Sequence, residues 1–300
     1  MPHKQIIIVQ GPTASGKTSL ALALARHYQT EIISFDSRQF YTELAIGVAR
    51  PTSFELSQVK HHFIATETIH APLNAATYAQ RAKPILDQLL HENGFAVLVG
   101  GSALFADALL LGLDPLPHDA KVHLKWQEAY QHSGIERLQE ALRGMDPAFY
   151  EQIDQHNPAR LIRALEVAEL TGGSNLALRK GPKADPSNVQ RFFIDWPRTE
   201  LYNRIDQRVD QMHEEGLRKE ALQFYPQSAH LQALQTVGYQ EFFACFSGLH
   251  SEVEALAKIK QHTRNYAKRQ LTWLRRYQTI HALDPNSTVS LLDQALLQLG

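Results

Sequence analysis

The sequence predicts an α/β fold: a parallel-sheet core, an inserted helical domain and a helical C-terminal part. In the first third of the chain, short apolar runs alternate with amphipathic stretches, the pattern of a parallel α/β sheet. From His118 to about Thr171 the chain is instead purely helical in pattern. We therefore expect a core formed by residues 1–117 and 189–300, and a helical insertion over 118–188.

Each element follows from a local pattern, and the first third contains these: a strand over 5–9, a helix over 16–28, a strand over 31–35, a helix over 74–91, and a central strand over 95–99 followed by a short helix. Breaks are expected in the insertion at 133–134 and 144–147, with a turn-rich connector over 180–186. A returning strand over 189–196 and long helices over 199–225 and 251–277 complete the chain.

Composition restricts the class of protein. The chain has 300 residues, and Cys245 is its single cysteine, which excludes an intrachain disulfide and a multi-cysteine zinc site. Its apolar runs are too short to span a bilayer, and its N-terminal pattern differs from a secretion signal. We therefore expect a cytoplasmic protein, and we take it to be a monomer.

A phosphate-binding loop follows the first predicted strand. Its spacing is Gly-x4-Gly-Lys-Thr, over Gly11, Pro12, Thr13, Ala14, Ser15, Gly16, Lys17 and Thr18. The glycines let backbone N–H groups turn toward phosphate oxygens, and the next helix presents its N-terminus. Lys17 adds a point charge and Thr18 offers a hydroxyl to a magnesium ion. The P-loop predicts a bound diphosphate or a nucleotide such as ATP, without saying which reaction follows.

A carboxylate follows the second predicted strand. If this strand is parallel to the first, Asp36 reaches the same sheet edge as the loop, where ligands of open α/β sheets bind. Asp36 can then act as a general base or bind magnesium-bound water, although an Asp-Ser pair can also simply cap a turn. The third strand ends in Gly100, Gly101 and Ser102 rather than an acid, which argues against ordinary ATP hydrolysis. We expect Ser102 to be an N-cap.

A basic segment lies near the C-terminus: residues 255–279 contain seven Lys or Arg and no acidic residue. At 100° per residue, one stripe of the predicted helix carries Lys260, Arg264, Lys268 and Arg275, and the roughly opposite face carries Ile259, Tyr266 and Trp273. A solvated stripe is the simpler interpretation. Unpaired like charges repel, however, so we favour an RNA backbone as the partner of this stripe.

Five blocks, in this order, resemble the bacterial tRNA dimethylallyltransferases (tRNA isopentenyltransferases) over nearly the whole chain. They are 11–18, the Asp-Ser-Arg-Gln segment at 36–39 continuing through 46–51, Val-Gly-Gly-Ser at 99–102, residues 157–166, and residues 263–273. The resemblance implies transfer of a dimethylallyl group from dimethylallyl diphosphate to N6 of the adenine 3′ of the anticodon. The implied partners are dimethylallyl diphosphate and the anticodon stem-loop of tRNA, the implied cofactor is Mg²⁺, and a membrane is not implied.

The resemblance also assigns residues. It makes Asp36 the base, places Thr18 near magnesium and directs Arg208 to the pyrophosphate. The residues that it assigns to tRNA are Asp36, Ser37, Arg38, Gln39, Ser102, His123, Ala159, Arg160, Leu161, Ile162 and Arg163, and we add Arg264 and Lys268 from the basic helix. His123 and Gln235 stand where the family usually has arginine, which is expected to weaken tRNA binding.

Two other functions are compatible with part of these features. A nucleoside-type small-molecule kinase would explain the loop and the α/β core, but not the basic helix or the Asp36 segment. A non-catalytic RNA-binding protein would leave the intact Lys17 and Thr18 unexplained. The pair His61-His62 has no companion metal-binding motif nearby, and we expect it to be structural.

Overall fold

The computed structural model describes residues 4–179 and 184–299. In chain order its strands and helices are β1 Gln5–Gln10, α1 Lys17–His27, β2 Ile32–Ser34, α2 Ser53–Gln58, β3 His61–His62, α3 Ala75–Glu92, β4 Phe95–Gly100, α4 Ala103–Leu110, α5 Ala120–Met145, α6 Pro147–Tyr150, α7 Pro158–Thr171, α8 Asn175–Leu178, β5 Val189–Ile194, α9 Arg198–Glu214, α10 Leu217–Leu222, α11 Tyr239–Phe246, α12 Glu252–Leu274, β6 His281–Leu283 and α13 Leu291–Leu299. Residues 180–183 of the expected connector lie outside the described residues.

The chain forms two compact units. One comprises Met1–Gly112 and Ala184–Gly300, and the other comprises Leu113–Lys183. The second unit is helical in its described part, as the pattern of the insertion predicts. Its boundaries lie a few residues before the expected 118–188.

The first unit is built on a parallel sheet with strand order β3-β2-β4-β1-β5-β6. The predicted α/β fold with a parallel-sheet core is confirmed, and β4 is central as expected. Because all these strands run in the same direction, the carboxyl ends of β1, β2 and β4 meet at one edge of the sheet. The phosphate-binding loop, Asp36 and Gly101 follow these three ends.

Alternating side chains of the central strands supply two hydrophobic clusters. Ile6 and Ile8 of β1 pack in a cluster with residues of α3 and α4, whereas Ile7 and Val9 pack in a cluster with residues of α1 and α13. This period of two is that of a strand, and the four consecutive apolar residues over 6–9 show that both faces are covered. The near-continuous apolar run of β1 thus buries the strand from which the phosphate-binding loop extends.

The helical insertion has its own core. Trp126 and Leu138 of α5, Phe149 of α6, and Leu161 and Leu165 of α7 belong to one buried cluster. The expected break at 133–134 is a kink inside α5, where Gly134 has a φ of 73°. The second expected break separates α5 from α6, where Asp146 caps α6 by accepting from the Phe149 N–H.

The long helix expected over 199–225 is two helices. Helix α9 ends at Glu214, and Gly216, with a φ of +106°, starts α10 in a new direction. Glycine adopts this left-handed conformation without the steric cost that a side chain would add. The helical periodicity continues across the break, which is why the sequence pattern alone predicted one helix.

Strands β3 and β6 were not predicted, because they have two and three residues and give no periodic signal. They pair at the two edges of the sheet, β3 with β2 and β6 with β5. Within residues 4–179 and 184–299, each helix is either too short or too polar to cross a membrane.

Candidate active site

The phosphate-binding loop is held from two sides. Trp196 donates its indole N–H to the Ser15 carbonyl at 2.8 Å, and Arg204 donates to the Ala14 carbonyl at 2.8 Å. The Arg204 guanidinium also stacks 4.2 Å from the centre of the Trp196 ring. Ala14 has a φ of 62°, an uncommon value for a residue with a side chain, so these contacts offset local strain. The loop is therefore preorganised before any ligand arrives.

Lys17 and Arg208 face one cavity of about 260 Å³ with Asp36. Burial lowers the pKa of Lys17 to about 8; the Asp36 carboxylate opposes this shift and the Arg208 guanidinium adds to it. Arg208 forms no ion pair with any residue that the structure describes. Arg38 and Arg269 line the same cavity, so four cations surround the Asp36 carboxylate and the cavity favours an anionic ligand.

Asp36 reaches this cavity because β2 and β4 approach very closely at their ends. A Cβ at Gly100 would lie 2.8 Å from the backbone nitrogen of Asp36 and 2.6 Å from the Phe35 ring, so only glycine fits. The Asp36 carboxylate also accepts the Arg38 N–H at 3.2 Å, the turn-capping contact that the sequence allowed. The Asp36 side chain therefore caps the turn and also faces the cations of the cavity.

A group of hydroxyls lies beside Asp36. Ser37 and Ser102 are hydrogen-bonded through their Oγ atoms at 2.9 Å, and the Ser37 N–H donates to the Ser102 Oγ at 3.1 Å. Ser102 is the N-cap residue of α4, as expected, but its side chain makes no capping bond and binds Ser37 instead. The segment at 36–39 and Ser102 are therefore in contact.

Tyr266 is a site residue that helical periodicity placed on the docked aromatic face of the basic helix. It lines the same cavity as Lys17 and Asp36. Burial raises the pKa of Tyr266, and the Asp36 charge raises it further, whereas Arg38 and a hydrogen bond with Ser102 oppose the shift. The spacing of residues along one helix cannot show that this face meets a sheet edge.

The remaining residues of the 36–39 segment support loops around the cavity. Gln39 donates its amide to the carbonyls of Val48 and Ala49 at 3.2 and 2.8 Å. Arg38 lies 3.4 Å from the Ala233 carbonyl, which its guanidinium contacts. Gln39 therefore fixes the loop that lines the cavity, whereas Arg38 itself lines it.

The loop over 45–47 is bound by a buried carboxylate that the sequence did not single out. Glu220 accepts the N–H groups of Ala45, Ile46 and Gly47 at 3.1, 2.9 and 2.9 Å. The Tyr239 hydroxyl donates to the same carboxylate at 2.5 Å. Because charge-assisted hydrogen bonds are strong, this carboxylate holds the wall of the cavity in place.

The basic helix α12 differs from its expected description. Lys260 pairs with Asp210 at 2.6 Å, and Arg264 pairs with Asp206 at 2.5 Å. The argument that the whole stripe is unpaired was therefore wrong, because α9 lies beside α12 and supplies acids from a distant part of the sequence. Lys268, farther along the helix, is exposed and has no ion pair with any described residue.

The expected RNA-contacting segment of the insertion is partly buried. Leu161 and Ile162 are 0 % and 6 % exposed and belong to its core, whereas Ala159 and Arg160 are exposed. Arg163 pairs with Glu166 at 2.8 Å and donates to the Pro117 carbonyl at 2.7 Å. Its guanidinium thus has partners within the insertion.

Glu166 is the centre of this network. His118 and His123 contact its two carboxylate oxygens at 2.5 and 3.1 Å. Burial alone would raise the pKa of Glu166, but hydrogen bonds from Arg163, the Asp119 N–H and both histidines lower it to about 2. The two histidines and Glu166 are near enough to share a metal ion, but the Arg163 guanidinium occupies the carboxylate that such an ion would need.

A second, much smaller cavity of about 10 Å³ adjoins the loop. Its lining includes Thr18, Ser34 and Asp36, all of which carry oxygen atoms, and His61. The His61 ring is held by its Nδ1, which lies 2.8 Å from the Val59 carbonyl. Burial lowers the pKa of His61.

Comparison with known proteins assigns the family. A family model described as IPP transferase matches residues 39–277. The tRNA dimethylallyltransferase of Flavobacterium johnsoniae is 42% identical over 285 residues, covering 91% of each chain. That of Chlorobium chlorochromatii is 40% identical over 303 residues, covering 98% of this chain and 97% of the other.

Solved structures agree with this assignment. The full-length tRNA isopentenylpyrophosphate transferase of Bacillus halodurans matches with a TM-score of 0.71 at 31% identity, over 99% of this chain and 94% of the other. A eukaryotic dimethylallyltransferase described as acting on tRNA has the same fold, with a TM-score of 0.80 at 21% identity, over 99% of this chain and 77% of that chain. The protein therefore belongs to the IPP transferase family of tRNA dimethylallyltransferases.

Proposed function

We propose that this protein transfers a dimethylallyl group from dimethylallyl diphosphate to N6 of the adenine 3′ of the anticodon in certain tRNAs, releasing pyrophosphate. The observation that carries the proposal is that Lys17, Arg208 and Asp36 face one cavity. The two cations suit a diphosphate leaving group, and the carboxylate suits a group that must lose a proton. A nucleoside-type kinase is not favoured, because the relatives are named as tRNA dimethylallyltransferases.

The diphosphate is bound by the loop. Backbone N–H groups of 13–16 and the N-terminus of α1 bind its oxygens, and Lys17 and Arg208 add positive charge. Negative charge grows on the diphosphate as the allylic C–O bond breaks, so these groups stabilise the transition state more than the bound substrate. Because Trp196 and Arg204 already hold the loop, little reorganisation is needed at that moment.

Magnesium fits the site. Thr18 and Asp36 line one small cavity with Ser34, and hydroxyl and carboxylate oxygens are ligands that this cation accepts. Thr18 is the residue that would hold it, and Asp36 would hold it through water. When bound, the cation supplies further positive charge at the diphosphate oxygens.

Asp36 removes the proton from the acceptor. The exocyclic amine of adenine attacks the allylic carbon, and its N–H becomes acidic as the new C–N bond forms, so a carboxylate can take the proton late. The contact with the Arg38 N–H orients the Asp36 carboxylate. Ser37, Ser102 and Tyr266 form the polar wall where the base is expected to bind.

The tRNA backbone is the expected partner of exposed basic residues. Lys268 on α12 and Arg160 on α7 remain our predicted contacts, since both side chains are exposed and the ion pair of Arg160 with Asp154 is long at 4.0 Å. Arg264 and Arg163 have acidic partners in this structure, so either would have to exchange an ion pair for a phosphate. We expect the protein to act as a monomer in the cytoplasm.

A transfer assay tests this proposal. The protein is incubated with magnesium, unmodified tRNA and either labelled dimethylallyl diphosphate or labelled ATP. Label that enters tRNA only from the allyl donor supports the proposal. Phosphate transfer from ATP to a small acceptor without allyl transfer would favour the kinase. Binding of tRNA without either reaction would favour a non-catalytic RNA-binding protein.

A further inference from the structure

The small cavity beside Thr18 and Asp36 has room for one ordered molecule. Its volume of about 10 Å³ is at the lower limit for a single water molecule. A water needs polar partners, and Ser34, Asp36 and Thr18 provide oxygens around this space. Its lining also includes the imidazole ring of His61.

The hydrogen bonding of His61 determines which of its two ring nitrogens carries the hydrogen and which can accept a hydrogen bond. Its Nδ1 lies 2.8 Å from the carbonyl of Val59, and because a carbonyl only accepts, Nδ1 must carry the hydrogen. In the neutral ring, Nε2 is then a hydrogen-bond acceptor. This Nε2 is buried and has no partner among the residues that the structure describes. Burying an unpaired acceptor costs free energy unless a water molecule or a ligand donates a hydrogen bond to it.

The neighbouring histidine provides an internal comparison. His62 follows His61 in β3, so the two side chains point to opposite faces of the strand. The Nε2 of His62 contacts the Glu31 carboxylate at 2.5 Å, so it has a partner. Of the two rings, only that of His61 lines the small cavity.

We propose that His61 is a positioning residue, whose Nε2 accepts a hydrogen bond from one water molecule that occupies this cavity and is bound to a magnesium ion beside Thr18 at the cavity's edge. The proposal rests on the proposed function, since it requires a magnesium diphosphate at the loop. Magnesium prefers oxygen ligands and usually keeps several waters, so contact through water fits better than direct coordination by imidazole. The Val59 carbonyl fixes the ring, and the ring in turn fixes the water.

The proposal predicts an effect on metal binding. Removing a residue that orients the ligands of a metal typically costs 10- to 100-fold in affinity, and we expect a loss of about 10-fold here. His61→Asn keeps an amide donor near Nδ1, and so the bond to Val59, but it has no acceptor at Nε2. His61→Gln places an amide oxygen near Nε2 and loses the donor. We therefore expect Asn to weaken metal binding and Gln to preserve it within about 3-fold.

The test is a titration of Mn²⁺, followed by electron paramagnetic resonance, into protein saturated with inorganic pyrophosphate. Wild type, His61→Asn and His61→Gln are compared with His62→Asn, which should leave the Mn²⁺ affinity unchanged. Thermal unfolding of each variant establishes that it is folded. Pulsed measurements on wild type should show no strong coupling from a directly bound nitrogen.

The outcomes separate this proposal from the proposed function. If wild type does not bind Mn²⁺ with pyrophosphate, the magnesium-diphosphate site itself is refuted. If wild type binds and both His61 variants bind equally well, only the role of His61 is refuted. Weakening by Gln but not by Asn would show that the Val59 contact alone matters. Strong nitrogen coupling would replace the water-mediated contact with direct ligation.

Discussion

Binding of the allyl diphosphate should depend on pH through Lys17. Burial lowers the pKa of its ammonium group to about 8 in the free protein. The Asp36 carboxylate opposes this decrease, and the Arg208 guanidinium adds to it. A bound diphosphate places negative charge beside this ammonium group and raises its pKa again. Binding must therefore take up a proton whenever Lys17 is neutral beforehand.

The magnitude follows from the fraction of Lys17 that is protonated. With a pKa of about 8, this fraction is about 0.9 at pH 7 and about 0.1 at pH 9. If the complex keeps Lys17 charged throughout, the affinity is nearly constant below pH 7 and falls about 10-fold between pH 7 and pH 9. The affinity must fall, and not rise, as the pH increases, because the pKa of Lys17 in the complex lies above its pKa in the free protein.

Calorimetry with a non-reactive thio analogue of dimethylallyl diphosphate, without metal, measures this effect. The analogue is fully ionised above neutral pH, so its own titration does not interfere. Repeating the titration at pH 8 in buffers of different ionisation enthalpy gives the proton uptake, which should be about half a proton. Asp36→Asn removes the charge that raises the pKa of Lys17, and should move the midpoint to lower pH. A constant affinity from pH 7 to pH 9 would refute this account of Lys17.

Three further predictions concern other parts of the molecule. Asp36→Asn should lower the rate of transfer by about 10²- to 10⁴-fold in single-turnover kinetics, with little change in diphosphate affinity at about pH 6, where Lys17 is charged; unchanged turnover would exclude a base role. Glu166→Gln should lower the free energy of unfolding, measured in urea at pH 7, by about 3 kcal/mol. Because the native pKa of about 2 lies below the unfolded value of 4.5, the difference in stability between wild type and variant should vanish as the pH falls from 4.5 to about 2. Lys268→Gln should weaken tRNA binding and reduce the slope of log affinity against log salt concentration by about one. Lys260→Gln loses a cation already paired with Asp210 and should change this slope less. Equal effects of the two substitutions would contradict the assignment of Lys268 to the tRNA backbone.

The sequence predicted the central part of the site because local patterns determined it. The run of apolar residues in β1 led directly into the loop, and parallel strands bring their carboxyl ends to one edge. The position of Asp36 beside Lys17 followed from those two facts alone. The close approach at Gly100, by contrast, depends on the packing of two strand ends and is visible only in three dimensions.

Other features could not be predicted because they depend on contacts between distant segments. Arg264 is paired with Asp206, which lies 58 residues earlier, and no helical wheel of α12 contains that acid. Tyr266 faces Asp36 only because α12 packs near the ends of β2 and β4. Glu220 binds the loop at 45–47 from more than 170 residues away.

The central claim is that one cavity makes pyrophosphate leave while Asp36 accepts a proton from adenine. The most direct measurement is nucleoside analysis by mass spectrometry of unmodified tRNA after incubation with the protein, magnesium and dimethylallyl diphosphate, together with pyrophosphate release. We predict N6-dimethylallyladenosine 3′ of the anticodon, with one pyrophosphate released for each modified adenosine, and both products formed about 10²- to 10⁴-fold more slowly by Asp36→Asn. Unmodified adenosine at that position, or equal modification by Asp36→Asn, would contradict the account.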